Sequence, residues 1–204
     1  MIIIGITGQS GAGKGAVSKI LSSYGIQIID ADKVYHNIIS PPSRCLDELV
    51  SHFGRTILTA SGELNRQALG LLVFGKENTE RLELLNKISH KHVCAEIRRI
   101  ISSLKAIGCE CAAIDAPLLL EAELERDCDF TISVIADKET RINRIMARDS
   151  IDRDAAERRI NSQKPIEFYV ENTDFTVENN SDVASLRDKI TKILITKGVI
   201  NGNG

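Results

Sequence analysis

The sequence predicts a three-layer α/β fold built on a mostly parallel five-stranded sheet, and three observations carry that reading. Its strand-like runs are continuously apolar rather than alternating, as in strands covered on both faces. Segments of helical spacing separate those runs, which is the pattern of crossover connections. The chain of 204 residues is also long enough for one well-buried core.

"MIIIGIT" opens the chain as a β-branched apolar run, and "AGKGAVSKILSSYG" follows with helical spacing at Val17, Ile20 and Leu21 until Gly25 stops it. "IQIIDAD" is a second strand ending in two carboxylates, and Val34, Ile38 and Ile39 then mark a helix closed by Pro41 and Pro42. From Ser43 to Lys105 strand signals are sparse. A helix through Leu46, Leu49 and Val50, a turn near "TASGEL" and helical patterns over Arg66–Phe74 and Glu77–Leu104 read as a helical insertion. "CECAAIDAP", "DFTISVIAD" and "FTVEN" supply three more strands, and an amphipathic helix over Val183–Ile195 follows them. "NGNG" at Asn201–Gly204 reads as a frayed tail.

Composition excludes several function classes. A net charge of -2, with 26 Lys and Arg against 28 Asp and Glu, provides no general field for a nucleic acid backbone or an anionic bilayer. Apolar runs such as Met1–Ile4 and Leu118–Leu120 are far too short to span a membrane, and the amino terminus lacks the basic and apolar regions of a secretion signal. A cytoplasmic location is expected. Five cysteines, Cys45, Cys94, Cys109, Cys111 and Cys128, lack C-x-x-C spacing and read as reduced thiols. Cys109 and Cys111 suit the start of a strand better than a metal site, and a helix would point His90 and His92 in different directions.

The most informative stretch is "GITGQSGAGKG". Gly8, Gly13 and Lys14 stand at the G-x-x-x-x-G-K spacing of a phosphate-binding loop, between a strand and a helix as such a loop requires. Amides unpaired at a helix start, and glycines that let the chain curl around them, form a cradle for phosphate oxygens, with Lys14 reaching the outer phosphates. The motif continues with a hydroxyl for magnesium, but here Gly15 and Ala16 follow the lysine. That removes one ligand without removing the cradle, because magnesium keeps several waters and binds largely through phosphates. "GAGKG" is similar to the loop of adenylate kinases, in which glycine commonly follows the lysine.

Asp30, Asp32 and Asp115 follow strands, and strand carboxyl ends are where open α/β sheets bind ligands. Asp115 has two readings, a magnesium-side carboxylate held through water or the cap of a helix beginning near Pro117. Arg141, Arg144 and Arg148 share one helical face. They form a solvated stripe or, with Arg153, Arg158 and Arg159, a phosphate clamp on a short lid.

Seven stretches in order carry a resemblance to the dephospho-coenzyme A kinase family: "GITGQSGAGKG", "GIQIIDAD", "GELNRQAL", "LNKISH", "DAPLLLE", "RIMARD" and "ENNSD". The resemblance covers nearly the whole chain. It implies the P-loop kinase fold as a single domain over 1–204, with a core at about 1–42 and 106–200, an acceptor-side insertion at about 43–105 and a lid at about 141–165. It implies ATP-dependent phosphorylation of the ribose 3′-hydroxyl of dephospho-coenzyme A, the last step of coenzyme A biosynthesis, with magnesium and no nucleic acid or membrane partner. Gly11, Ala12, Gly13, Lys14, Gly15, Ala16, Arg148 and Asn179 would then bind ATP, with Asn179 on an adenine-side loop. Arg66, His90 and Glu121 would lie toward the acceptor, Asp32 would orient or deprotonate its hydroxyl, Lys14 and the loop amides would hold ATP, and Arg144 with Arg148 in the lid would screen the transferring group.

The chain departs from the family pattern at Gly15 and Ala16, where Ser and Thr are usual, at His36, often Arg, and at Lys91, often Pro. Another nucleoside or nucleotide kinase, and a nucleotide-binding regulator with weakened catalysis, are the rival readings. A guanine-reading N-K-x-D motif is absent from the sequence.

Overall fold

The computed structural model describes residues 1–75 and 77–201, so most of the expected "NGNG" tail lies outside the described residues. The element order is β1 (Ile2–Gly8), α1 (Lys14–Ser23), β2 (Gln27–Asp30), α2 (Ala31–Ile38), α3 (Arg44–Phe53), α4 (Arg66–Val73), α5 (Thr79–Ala106), β3 (Cys111–Asp115), β4 (Phe130–Ile135), α6 (Lys138–Asp149), α7 (Arg153–Asn161), α8 (Ile166–Glu171), β5 (Phe175–Glu178) and α9 (Val183–Thr196). The five strands form one sheet in the order β2-β3-β1-β4-β5. β1 pairs in parallel with both β3 and β4, and β4 with β5, so the predicted parallel α/β architecture is present. Ile6 of β1 stands opposite Asp115 of β3, and Gly8 opposite Val134 of β4, which aligns the carboxyl ends of all three strands.

The chain divides into two compact units, one of residues 1–29 and 105–204 and the other of residues 30–104. In the first, Ile4 and Ile6 of β1, Val17, Ile20 and Leu21 of α1 and Leu186, Ile190 and Leu194 of α9 share one core. The opposite face of β1 is filled as tightly. A Cβ at Gly5 would lie 2.7 Å from Leu119 Cδ2 and 2.9 Å from Cys128 Sγ, so only glycine leaves room there. Burial on both faces explains why β1 is apolar from Ile2 to Ile6.

The second unit has its own core, in which Ile39, Cys45, Leu49, Ile57, Leu69, Val73 and Ile88 bring helices together, with Tyr35 and Ile38 of α2 packed against them. That unit begins at Asp30, earlier than the insertion boundary expected at about 43, because α2 contributes its apolar face to this helical core. Side-chain caps set several helix starts. Asp30 accepts from the Lys33 amide, Ser43 from Leu46, Asn65 from Ala68, Asp152 from Ala155 and Asp182 from Ser185.

One local expectation is corrected. No α-helix begins near Pro117. Residues 117–123 run as successive turns into a 3-10 turn at Leu124–Asp127. Leu119 is drawn onto the bare backbone of Gly5, and the Leu119 and Ala122 amides close turns on the Ala116 and Leu118 carbonyls. Tertiary packing here overrides a helix-like composition.

Candidate active site

In the first unit the loop between β1 and α1 has the backbone a phosphate cradle needs. Gly8, Gly11 and Gly13 have φ of 137°, 78° and 104°, values open to glycine and strained for other residues. Space tightens the same requirement. A Cβ at Gly8 would lie 2.1 Å from the Val134 carbonyl oxygen, and one at Gly11 2.7 Å from the Arg141 carbonyl oxygen. Gly13 is the left-handed N-cap of α1, and no acidic side chain occupies the first turn of that helix. Its positive end is therefore available to an external anion. Lys14 Nζ donates to the Gly8 carbonyl at 3.1 Å, folding the lysine back over the loop.

Three later segments hold this loop. Asn179, which follows β5, is buried and donates through Nδ2 to the Ala12 carbonyl at 2.7 Å. Arg144 on α6 directs Nη1 to the carbonyls of Gly11, Ala12 and Asn179 at 3.4, 3.3 and 3.0 Å. Arg141, only 3% exposed, donates to the Ser10 carbonyl at 2.9 Å and to Gln163 Oε1 at 2.8 Å. Burial lowers the pKa of its guanidinium from the ordinary value. Gln163 Oε1 also accepts from the Ser10 amide at 3.0 Å.

The arginine stripe therefore does not act as one surface. Arg141 and Arg144 face the loop, whereas Arg148 pairs with its neighbour Asp149 at 2.7 Å. Arg159 also pairs with Asp149, and Arg153 pairs with Glu157 at 2.9 Å and with Glu139. The arginines expected to form a solvated stripe or a phosphate clamp are thus partly neutralised by carboxylates beside them and on the next helix. Helical spacing identifies which residues share a face, but not what that face meets.

Asp115 ends β3 one strand away from the loop and accepts a 2.6 Å hydrogen bond from Ser18 Oγ on α1. The helix-cap reading of Asp115 falls with the missing helix near Pro117. Ser18 was not singled out from sequence. The available signal was its place one helical turn beyond Gly15, on the same face. Glu121 lies in the turns after β3. Its Oε2 is buried and has no hydrogen-bond partner among the described residues. Burial first, and the charge of Glu121 second, raise the pKa of Tyr169.

In the second unit Asp32 is exposed in the first turn of α2, where negative charge is favourable, and His36 lies one turn further along that helix. Arg66 Nη2 lies 2.9 Å from His36 Nδ1. A guanidinium can only donate, so Nδ1 is the acceptor in this pair. His90 is half-buried on α5. His92 instead turns to Glu48 at 2.7 Å, where Lys91 also binds, and hydrogen bonds from Lys91 and His92 lower the pKa of Glu48. Position 36 is thus the partner of Arg66, a relationship that the departure from the usual Arg at His36 could have flagged.

No group of His, Cys, Asp and Glu among the described residues forms a metal-binding cluster. Burial pushes the Cys45 and Cys111 thiols up to about 11 and that of Cys128 to about 12, which leaves them poor nucleophiles near neutral pH. Among the described residues no helix is long and apolar enough to cross a membrane.

Residues 2–185 match the family model described as dephospho-CoA kinase. The dephospho-CoA kinase of Carboxydothermus hydrogenoformans is 38% identical over 94% of this chain and 92% of its own length. The crystal structure of TT1252 from Thermus thermophilus superposes with a TM-score of 0.77 at 30% identity, covering 96% of this chain and 97% of that one. Dephospho-CoA kinase from Campylobacter jejuni does so with a TM-score of 0.69 at 27% identity, covering 97% and 98%.

Proposed function

Because the chain belongs to the dephospho-CoA kinase family, we propose that it transfers the terminal phosphoryl group of ATP to the ribose 3′-hydroxyl of dephospho-coenzyme A, completing coenzyme A in the cytoplasm. The observation that carries the chemistry is the preformed loop. Three left-handed glycines wrap the amino end of α1, and Lys14 stands at its first position. Phosphoryl transfer asks a protein for positioning and charge rather than covalent work, and this loop supplies both.

On this reading Lys14 and the amides of Gly11 to Ala16 hold the ATP phosphates. Asn179 and Arg144 fix the loop's shape from behind, and the remaining guanidinium N–H groups of Arg144 are donors for a phosphate oxygen. Arg148 would contribute to nucleotide binding only by leaving its pair with Asp149. Asp32 orients the acceptor hydroxyl and takes its proton, while Arg66, His90 and Glu121 serve the acceptor.

Magnesium fits the residues present, because Asp115 offers a carboxylate, the hard oxygen donor this ion prefers, at the strand end beside the loop. Asp115 would hold it through water, and when bound it neutralises charge on the phosphates.

The test is ATP consumption with dephospho-coenzyme A, adenosine, AMP and pantetheine offered separately, with the product located by phosphorus NMR. Transfer to the 3′-hydroxyl of dephospho-coenzyme A alone is the expected result. Preference for adenosine or AMP would make the protein a nucleoside or nucleotide kinase, and ADP release with none of them would favour a regulator.

A further inference from the structure

We propose that Ser18 takes the place, at Asp115, of the hydroxyl that this loop lacks after its lysine, and so acts as a positioning residue for the magnesium-side carboxylate. The inference rests on the kinase reading above. Loops of this class use a Ser or Thr after the lysine together with a carboxylate at a strand end to hold the ion. Gly15 and Ala16 leave this chain without that hydroxyl.

Lack of room does not explain the loss. A Cβ at Gly15 would meet nothing within 4 Å, and Gly15 is not among the glycines with positive φ. One turn further along α1, on the same helical face, Ser18 Oγ lies 2.6 Å from Asp115 Oδ2, across 97 positions of the chain.

The ordinary role of a mid-helix serine is to bond the carbonyl one turn back, and Ser18 Oγ is 3.2 Å from the Lys14 carbonyl oxygen. A hydroxyl carries one hydrogen. The contact to the carboxylate is shorter and charge-assisted, so that hydrogen goes to Asp115 Oδ2. Asp115 is itself fixed by strand pairing beside Ile6, and the Ala116 amide bonds the Ile6 carbonyl at 3.0 Å. With its backbone set by β1 and its carboxylate bonded to Ser18, Asp115 is held beside the loop. Outer-shell hydrogen bonds of this kind decide how well a carboxylate serves a cation.

The experiment measures ADP binding by calorimetry, with magnesium and with EDTA, without acceptor or turnover. Wild type, Ser18→Ala, Ser18→Thr and the double variant Gly15→Ser with Ser18→Ala are compared, each checked for a cooperative melt. We expect magnesium to tighten ADP binding in wild type, and Ser18→Ala to lose about tenfold of that tightening while its affinity in EDTA stays put. Ser18→Thr, which keeps the hydroxyl, should restore the tightening, and the double variant should recover much of it by returning a hydroxyl to position 15. Full tightening in a folded Ser18→Ala variant would overturn the proposal, as would a Ser18→Thr variant that melts like wild type yet loses it. Wild type that binds no ADP under either condition would instead bring down the kinase reading itself.

Discussion

Asn179 Nδ2 donates to the Ala12 carbonyl at 2.7 Å, joining the segment after the last strand to the loop after the first, 167 positions apart. This bond holds the curl of the loop, since Ala12 lies between Gly11 and Gly13, whose φ of 78° and 104° need external support. Removing the amide leaves a buried carbonyl with only the 3.3 Å contact from Arg144. Asn179→Ala should therefore cost about 1–3 kcal/mol of stability and raise the KM for ATP more than it lowers kcat. Urea melts and steady-state kinetics check both. An unchanged KM would mean that Asn179 braces the fold without shaping the nucleotide site.

Lys14 folds back onto the Gly8 carbonyl at 3.1 Å and makes no part of the hydrophobic core. Lys14→Ala should reduce kcat by about 100-fold or more while shifting stability by no more than about 0.5 kcal/mol. Turnover near the wild-type rate in a folded variant would remove the loop from the mechanism.

These two residues show what was legible in the sequence and what was not. Lys14 stands in a local motif whose spacing, strand and helix lie within a short stretch, so the backbone physics is written beside the residue. The central strands were legible for the same reason, because burial on both faces leaves an unbroken apolar run such as Ile2–Ile6. Ser18 and Asp115 acquire their relationship only when β3 is laid beside β1, and neither local segment records it. Arg141 was misjudged differently. Its spacing placed it on a charged face, but the structure turns that position inward to the Ser10 carbonyl, since a guanidinium can be buried where donors meet acceptors.

Asp32 offers a sharper test of the division of labour. It lies exposed in the first turn of α2, and among the described residues no hydrogen bond or ion pair holds its side chain. Asp32→Asn keeps the shape and removes the base, so kcat should fall by about 100-fold or more while the KM for ATP changes less than about threefold. Loss of ATP binding with chemistry intact would reassign Asp32 to the metal.

Asp149 makes the joint between α6 and α7 sensitive to acid. A hydrogen bond from Arg148 leads, and one from Arg159 adds to it, in holding its carboxyl down at about 2 against an ordinary value of 3.8. A pKa lowered by folding stabilises the folded state above the ordinary value and loses that contribution as pH falls through the folded one. The melting temperature of wild type should thus exceed that of Asp149→Asn above pH 3.8, and the gap should close toward pH 2. A gap that stays constant over this window would show that the two arginines do not act through the charge of Asp149.

Gly15 sits in the first turn of α1 with open space around its missing Cβ, so a serine there meets no steric objection. Glycine is a poor helix residue because of the backbone freedom it surrenders, and Gly15→Ser should raise ligand-free stability by about 0.5 kcal/mol. The new hydroxyl would also offer magnesium a ligand, but Ser18 already orients Asp115, and a single neutral oxygen competes with water. The magnesium midpoint at saturating ATP should fall by no more than about fivefold, the scale of one net hydrogen bond. Melting temperatures without ligand separate the helix effect from the metal effect. A stabilised variant with an unchanged midpoint would mean that the ion does not approach position 15, whereas a midpoint lowered by orders of magnitude would mean that the native loop lacks a magnesium-side hydroxyl altogether and that Ser18 does not compensate for it.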